Sequence, residues 1–400
     1  MDTKTVQRRF DLDWLRVLGI LSVFVYHSTR FFNFGDWHVK NQITYASVQT
    51  FERFMEIWMM PLIFMISGAS IFYAMNKGGA GTFFKDKFLR LLVPLLVAMF
   101  TYASLQVYLE RLTHGVFSGS YFAFLPHYFD GVYLDVGSSG NFAFHGMHMW
   151  YVMILLIYCI IFYPLFRWWK GSGRGVLEKI GNLLASPWTL WLTLAFPILL
   201  LGLGIQGTDW EFGAGGWGFL YYIFFLLPGF VIVSSERAQA NIQRMCWSSL
   251  IVGLTLGAGR ILIVANEANP VFQPFSGTVS GLLYILSACT LLPAFLGFGM
   301  KYLTSNTPFL KYASEAVMGF YILHQTVLLS IGYFVVRWAI PDLAKWAIIF
   351  VSSFIVIMGI YEFIVRRFNV MRFLFGMKLM PKPVDIQMKE TSLKESARTM

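Results

Sequence analysis

The stretch RVLGILSVFVYH, residues 16–27, begins with an arginine and ends with a histidine, and the ten residues between them are almost all apolar. An α-helix turns about 100° and rises about 1.5 Å per residue, so Arg16 and His27 return to nearly the same face about 16 Å apart. Such side chains are costly when they face lipid, so we expect both to face a bundle interior or a wet cavity. The stretch therefore predicts a first transmembrane helix with two polar groups on its buried face.

The composition places this helix in a larger membrane domain. The chain has 400 residues, of which 57% are hydrophobic and 13% charged, which is more apolar side chain than one soluble core could bury. Apolar runs of roughly 20 residues recur, and they do not alternate apolar with polar residues as barrel strands do. We predict an all-α, polytopic integral membrane bundle over residues 1–380, followed by a disordered cytoplasmic tail over residues 381–400.

The apolar runs predict about ten crossings, which places both termini on the same side of the membrane. The predicted spans are 12–32, 54–75, 88–111, 148–166, 188–206, 217–233, 248–265, 278–300, 311–337 and 344–366.

Lysine and arginine residues are concentrated in alternate connections between these spans. The basic residues of these connections are Lys77, Lys85, Lys87, Arg90, Arg167, Lys170, Arg174, Lys179, Arg237, Arg244, Lys301 and Lys311. The opposite connections 112–147, 207–216 and 266–277 contain neither residue type, and the exceptions on that side are Lys40, Arg53 and Lys345. The positive-inside rule then makes the basic connections and both termini cytoplasmic. The formal net charge of +10 indicates contact with anionic lipid headgroups rather than nucleic acid, for which no motif is present.

The first helix has two interpretations. In the structural one, Asp13 pairs with Arg16 at i,i+3, Arg16 extends to the interface, and His27 makes a hydrogen bond between helices. In the functional one, the polar groups on this face, Asp13 included, form part of a reaction site. The sequence alone leaves both open.

Histidines in two other spans are further candidates. His148 begins the fourth span three residues after His145, but no carboxylate or further histidine is near in sequence, so we predict no metal site. His324 lies within the ninth span with Tyr321 on the same face, and it needs a polar partner there. The three cysteines lie in or beside apolar runs, without ligand spacing, and are expected to be packing residues; they are Cys159, Cys246 and Cys289.

Four more residues have balanced interpretations. Lys87 and Arg90 suit phosphate groups but also follow from the positive-inside rule. Glu362 is a carboxylate in an apolar run, and Arg366 at i,i+4 offers it a structural partner. Trp150 lies where interfacial tryptophans anchor membrane helices.

Six blocks of the sequence resemble, in the same order, those of membrane acyltransferase family 3. They are DLDWLRVLGILSVFVYH, PLIFMISGASIF, FFKDKFLRLLVP, HMWYVMILL, YILHQTVLL and YEFIVRRFNVMRFLFG. In that family an arginine or lysine, ten intervening residues and a histidine on the first helix are the acyl-transfer motif, which Arg16 and His27 fit. WHVKN, residues 37–41, and the closing YE…FLFG are similar to the glucans biosynthesis protein C type, whose members add succinyl groups to periplasmic glucans.

The resemblance implies an O-acyltransferase of the bacterial inner membrane. It would use cytoplasmic acetyl-CoA or succinyl-CoA as donor and no metal, and a hydroxyl group of a glycan or related acceptor on the opposite side. His27 would be the general base or, alternatively, form an acyl-histidine intermediate. The implied catalytic residues are His27, Arg16, Asp13, His324 and Glu362; those near the donor are Arg16, Lys87 and Arg90; those near the acceptor are His148, Trp150 and Tyr321. A homo-oligomer is compatible with these features.

A secondary transporter is the alternative from a different class. It would also have about ten helices with buried ionisable groups and interrupted spans such as LLPGF, residues 226–230. The two halves of the chain show no matched interruption, which favours the acyltransferase.

Overall fold

Helices form at all ten predicted spans. The computed structural model describes residues 8–205 and 218–380. Its main helices are α1 (Phe10–Thr29), α2 (Ala46–Ala74), α3 (Ala80–Phe100), α4 (Tyr102–Thr113), α5 (Met147–Ile161), α6 (Tyr163–Lys170), α7 (Arg174–Leu184), α8 (Leu190–Ile205), α9 (Phe219–Ser234), α10 (Glu236–Ala265), α11 (Thr278–Tyr302), α12 (Pro308–Val335), α13 (Asp342–Val365) and α14 (Asn369–Leu374).

The all-α membrane fold is confirmed. Five helices are long and apolar enough to cross a membrane, and the number rises to seven if each of two bent pairs is one span. Within the described ranges no strand forms, and an isolated β-bridge joins Val132 to Phe142. The count of ten crossings and the cytoplasmic position of the termini stay predictions. The predicted tail 381–400 and the connection 207–216 lie outside the described residues.

Two predicted spans are broken rather than continuous. The span 88–111 falls on α3 and α4, which are bent by 40° where Thr101 leaves helical geometry. The span 148–166 falls on α5 and α6, which are bent by 54°. Pro164 is in the first turn of α6, and because it has no backbone N–H it cannot continue the hydrogen bonding of α5. The Gln106 side chain of α4 lies 3.5 Å from His148 at the start of α5.

The helices α2 and α9 are in backbone contact through a reciprocal pair of glycines. A Cβ atom at Gly68 would lie 1.9 Å from the carbonyl oxygen of Leu226, and one at Gly229 would lie 1.9 Å from that of Met65. Lipid supplies no hydrophobic force between helices, so small residues that allow close van der Waals packing stabilise such contacts. A side chain at either glycine would separate the two helices.

Hydrogen bonds link several connections that the charge pattern places on the same side. We call the connections 30–45, 114–146, 266–277 and 336–341 together the outer end. His114 there contacts Asp36 at 3.1 Å, and the Tyr45 hydroxyl donates to Asp342 at 2.7 Å. At the opposite end, Arg9 contacts Gln239 at 2.7 Å. These contacts join segments that the charge pattern assigns to the same side, and the sidedness itself stays a prediction.

The three basic residues that depart from the positive-inside pattern have partners inside the protein. The Lys40 ammonium group donates to the carbonyl oxygens of Arg30 and Gly35, each at 3.0 Å, and to both oxygens of Asn33. Lys345 is buried, 3.0 Å from both Asn41 Oδ1 and Asp342 Oδ1.

Arg53 donates to the carbonyl oxygen of Val264 at 3.3 Å. Because these three cations are bound internally, they do not argue against the predicted sidedness.

We predict that a cysteine at position 130 reacts from outside the cell. Asp130 lies in the connection 114–146 and its side chain is 65% exposed, whereas all three native cysteines are buried. In intact cells, a membrane-impermeant maleimide should label Asp130→Cys and leave Gly175→Cys, on the opposite side of the predicted topology, unlabelled until lysis. Labelling of position 130 only after lysis would reverse the topology.

Candidate active site

His27 and His324 form a hydrogen bond between α1 and α12. His27 Nδ1 lies 2.8 Å from His324 Nε2, and the two rings stack with their centroids 5.1 Å apart. His324 Nδ1 in turn lies 2.6 Å from the carbonyl oxygen of Tyr321. His324 is fully buried, while His27 is partly exposed in the last turn of α1. The partly exposed His27 ring thus packs against the fully buried His324 ring.

These partners assign the tautomers of both neutral rings. A carbonyl oxygen only accepts, so Nδ1 of His324 carries hydrogen and its Nε2 carries a lone pair. His27 must then donate from Nδ1, which leaves the lone pair of His27 on Nε2. No described residue forms a hydrogen bond with that nitrogen. It is therefore oriented as a proton acceptor.

His148 connects the start of α5 to the same segment of α12. Its Nε2 lies 3.0 Å from the carbonyl oxygen of Tyr321 and 3.1 Å from that of Ile322, and its ring is 4.8 Å from that of His324. The Tyr321 hydroxyl donates back to the His148 carbonyl oxygen. These bonds fix His324 from a second helix, so His148 and Tyr321 lie behind the His27–His324 pair.

Trp37 forms one wall of the site. Its ring stacks on His27 at 5.5 Å, and the Arg30 guanidinium lies 4.8 Å from the Trp37 ring centroid. Arg30 is 3.6 Å from the carboxylate of Glu52, a fully buried residue that also accepts hydrogen bonds from Thr29 at 2.9 Å and Asn33 at 2.5 Å. The Glu52 carboxylate thus fixes the end of α1, and with it His27.

A buried histidine–carboxylate pair lies under the outer end. His38 Nδ1 donates to Glu110, which also accepts from the Tyr133 hydroxyl at 2.6 Å, the Gly137 N–H at 3.0 Å and Arg111 at 3.2 Å. Burial and the neighbouring Glu110 carboxylate raise the pKa of Tyr133, so its hydroxyl stays protonated and donates.

The other nitrogen of His38, Nε2, lies 3.3 Å from the Gln325 side-chain nitrogen on α12. Nearby, burial lowers the pKa of His145 to about 4, which keeps that ring neutral. The His38–Glu110 pair therefore links the segments 30–45 and 114–146 to α12, the helix that carries His324.

Arg16 and Asp13 lie on α1 away from His27. Arg16 is 3.2 Å from Asp13 Oδ1 and donates to Ser70 Oγ at 2.7 Å, and its side chain is 35% exposed. The structure therefore forms the i,i+3 pair and keeps about 16 Å of helix between the guanidinium and the imidazole.

The other predicted site residues have different neighbours. Glu362 is 2.9 Å from Arg366 and accepts from Tyr312 at 3.0 Å, and it has no contact with the histidines. Arg90 pairs with Asp86 at 2.8 Å, and both are exposed.

Lys87 lies 5.4 Å from the Phe83 ring, and Trp150 packs 5.5 Å from the Tyr222 ring. The site around His27 thus contains His324, His148 and Tyr321, but it contains neither Glu362 nor Trp150.

The sequence analysis missed five residues that surround the histidines. They are Trp37, His38, Gln106, Glu110 and Gln325. Trp37 and His38 belong to WHVKN, which served only as a family resemblance. One of them could have been found from the sequence. Glu110 is a carboxylate near the end of an apolar span, and Glu362 was selected for the same reason.

Among the described residues, no group of three or more histidine, cysteine or acidic side chains is arranged to hold a metal ion. His145 and His148 face different partners, since Nδ1 of His145 lies 3.1 Å from the carbonyl oxygen of Met147 while His148 contacts α12.

The comparisons with known proteins identify the class. The acyltransferase domain model of membrane acyltransferase family 3 matches residues 9–362, and the chain belongs to this family. The match supports a membrane-bound acyltransferase with transmembrane helices. No curated protein and no solved structure matches the chain.

Replacing Glu52 should destabilise the protein markedly. Glu52→Ala removes the acceptor of the Thr29 hydroxyl and of the buried Asn33 amide, a loss of about 1–3 kcal/mol for a buried polar group left unsatisfied. The measurement is the thermal midpoint of the protein in nanodiscs. Glu178→Ala, which breaks an exposed pair with Arg174, is the control and should have little effect. Equal midpoints for both variants would contradict the anchoring role of Glu52.

Proposed function

We propose that this protein transfers an acetyl or succinyl group from cytoplasmic acyl-CoA to a hydroxyl group of an extracytoplasmic glycan or related acceptor, with His27 as general base. The observation that carries the proposal is the tautomer assignment at His27, whose Nε2 has a lone pair and no partner among the described residues. Membership of the acyltransferase family supplies the reaction class. A bacterial inner membrane, with acyl-CoA on one side and glycan on the other, is the setting that we propose.

The chemistry at His27 is a proton transfer coupled to acyl transfer. Nε2 of His27 takes the proton as the hydroxyl oxygen attacks the thioester carbonyl carbon. The oxygen–carbon bond forms, the carbon–sulfur bond breaks, and the departing sulfur receives the proton back from His27. His324 keeps Nδ1 of His27 in a hydrogen bond throughout, so the ring does not rotate away from the reacting atoms.

The cations on the opposite side from the outer end suit the donor. Arg16, Lys87 and Arg90 lie at that end, where guanidinium and ammonium groups bind the phosphates of CoA. The roughly 16 Å from Arg16 to His27 would be spanned by the pantetheine arm. Arg16 therefore acts in donor binding rather than in the chemical step.

Arg16→Leu should weaken acyl-CoA binding more than Arg16→Lys. A leucine cannot contact phosphate, whereas lysine keeps the positive charge without the guanidinium fork. Titration of acetyl-CoA and succinyl-CoA into purified protein measures the affinity, and Arg174→Leu, an exposed arginine paired with Glu178, is the control. Unchanged affinity in both Arg16 variants would remove Arg16 from the donor site.

His27→Gln should abolish transfer without preventing folding. A general base contributes about 10²–10⁴ in rate, whereas loss of a hydrogen bond between membrane helices costs roughly 0.6–2 kcal/mol. The assay is acceptor-dependent release of CoA in proteoliposomes, and the control is His127→Gln, an exposed histidine paired with Asp130. Near wild-type turnover in His27→Gln would make His27 structural.

The same proteoliposomes separate acyl transfer from transport. A transporter would exchange labelled substrate across the membrane without acceptor-dependent release of CoA, and this result would replace the proposed function with the alternative one.

A further inference from the structure

Two arginines near the outer end lack the acidic partner that neighbouring cations have. In that part of the bundle Arg30, Arg111 and Lys345 each pair with a carboxylate. Arg53 on α2 and Arg260 on α10 form no ion pair with any carboxylate that the structure describes, and their hydrogen bonds go to backbone carbonyl oxygens. Both side chains are only partly exposed. Because a charge that is partly removed from water needs a counter-charge, this pair is electrostatically incomplete.

The two arginines lie side by side where α2 meets α10. Nη1 of Arg260 donates to the carbonyl oxygen of Arg53 at 3.4 Å, and Nη1 of Arg53 donates to that of Val264 at 3.3 Å. Both distances are long, and a guanidinium group has five N–H donors, so most of these donors remain unused. Nε of Arg260 is buried and has no partner within the described ranges. Since like charges repel, an anion between the two groups would stabilise them.

The Tyr284 ring orients the Arg260 guanidinium. The Cζ atom of Arg260 lies 4.8 Å from the centroid of that ring, and the Tyr284 hydroxyl donates to the carbonyl oxygen of Glu56 at 3.1 Å. Tyr284 is thereby attached to α2, the helix that carries Arg53. A guanidinium that stacks on a ring keeps its N–H groups in its own plane, where they match two oxygens of one phosphate.

The nearby carboxylates leave a positive charge at this place. The Glu56 carboxylate accepts from the Tyr26 hydroxyl at 2.8 Å and is in ion-pair contact with neither arginine. Glu267, in the connection after α10, is exposed, so solvent screens its charge. Two guanidinium groups and the Glu56 carboxylate give one positive charge in excess, which a phosphodiester with one negative charge would balance.

Both arginines lie at the depth of lipid headgroups. The helices α2 and α10 have 29 and 30 residues, so each is about 43–45 Å long, the thickness of a bilayer with its headgroups. Arg53 and Arg260 are about 8–11 Å from the helix ends at the outer end, near the boundary between headgroups and hydrocarbon. The outward face of α10 is apolar and exposed, through Ile251, Leu254 and Leu262. A ligand at this depth is therefore carried by a lipid.

We propose that Arg53 and Arg260 bind the phosphate group of an anionic phospholipid in the leaflet at the outer end. The terminal N–H groups of both arginines donate to the phosphate oxygens, and the acyl chains lie along the apolar face of α10. The lipid thus joins α10 to α2, the helix whose Glu52 carboxylate holds the end of α1. This binding site goes beyond the proposed acyl transfer and does not depend on it.

Native mass spectrometry of the purified full-length protein tests the proposal. Protein in a non-ionic detergent is titrated with phosphatidylglycerol, with phosphatidylcholine, whose choline cation balances its phosphate, or with inorganic phosphate. Wild type should retain one more phosphatidylglycerol molecule than Arg53→Gln or Arg260→Gln, whose affinity for that lipid should fall roughly ten- to hundredfold. Phosphatidylcholine should bind wild type and both variants equally, and millimolar phosphate should not displace the retained phosphatidylglycerol.

Arg337→Gln is the matched control. Arg337 is an exposed arginine of the outer end that also lies over a tyrosine ring, 3.7 Å from the centroid of Tyr333. Its replacement removes the same charge from the same end of the bundle, and the variant should retain phosphatidylglycerol as wild type does. Arg53 and Arg260 belong to different helices, so each variant tests the site without the other if one of them fails to fold.

Three results would overturn the proposal. The first is equal retention of phosphatidylglycerol by wild type and a folded Arg53→Gln or Arg260→Gln variant. The second is an equal loss in Arg337→Gln, which would reduce the effect to general attraction between basic residues and anionic lipid. The third is displacement of the lipid by millimolar phosphate, which would make the ligand a soluble anion. Because no acyl donor is present, none of these results bears on acyl transfer.

Discussion

The hydrogen bond between His27 and His324 is the constraint on which the site depends. It joins α1 to α12, and it determines the tautomer of His27 because His324 is itself held by the carbonyl oxygen of Tyr321. A helix carbonyl accepts and cannot donate, so the direction of the chain of hydrogen bonds is set by backbone geometry. The accessible lone pair on His27 follows from the helical conformation of α12.

The surroundings of the basic residues differ between the two ends of the bundle. At the end opposite the outer end, the side chains of Arg16 and Arg90 are 35% and 44% exposed, and each is paired with a carboxylate of its own helix. At the outer end Lys40 is surrounded by oxygens and Lys345 is buried beside Asp342, whereas Arg337 is exposed and lies over the Tyr333 ring. Basic residues thus form pairs along one helix at the first end and contacts with buried oxygens at the other.

The connections of the outer end are part of the site rather than simple links between helices. Trp37 stacks on His27, and His38 reaches Glu110 on α4 and Gln325 on α12. Connections outside the membrane tolerate polar backbone and side chains that the hydrocarbon core excludes. This arrangement places Trp37 and His38 of the connection 30–45 beside the polar side chains of α1, α4 and α12.

The sequence by itself determined the helical membrane fold, the positions of ten apolar segments and the common face of Arg16 and His27, because hydrophobic length and helical periodicity are local properties. It also selected His148, His324 and Tyr321, since polar groups in apolar spans need partners. The tertiary structure decided which partners they have: His27 meets a residue 297 positions away, Glu362 pairs locally with Arg366, and Glu110 meets His38. The spacing of residues along one helix determines which of them share a face. Contacts between helices depend on packing and on bends such as those at Thr101 and Pro164, which the periodicity of the sequence does not encode.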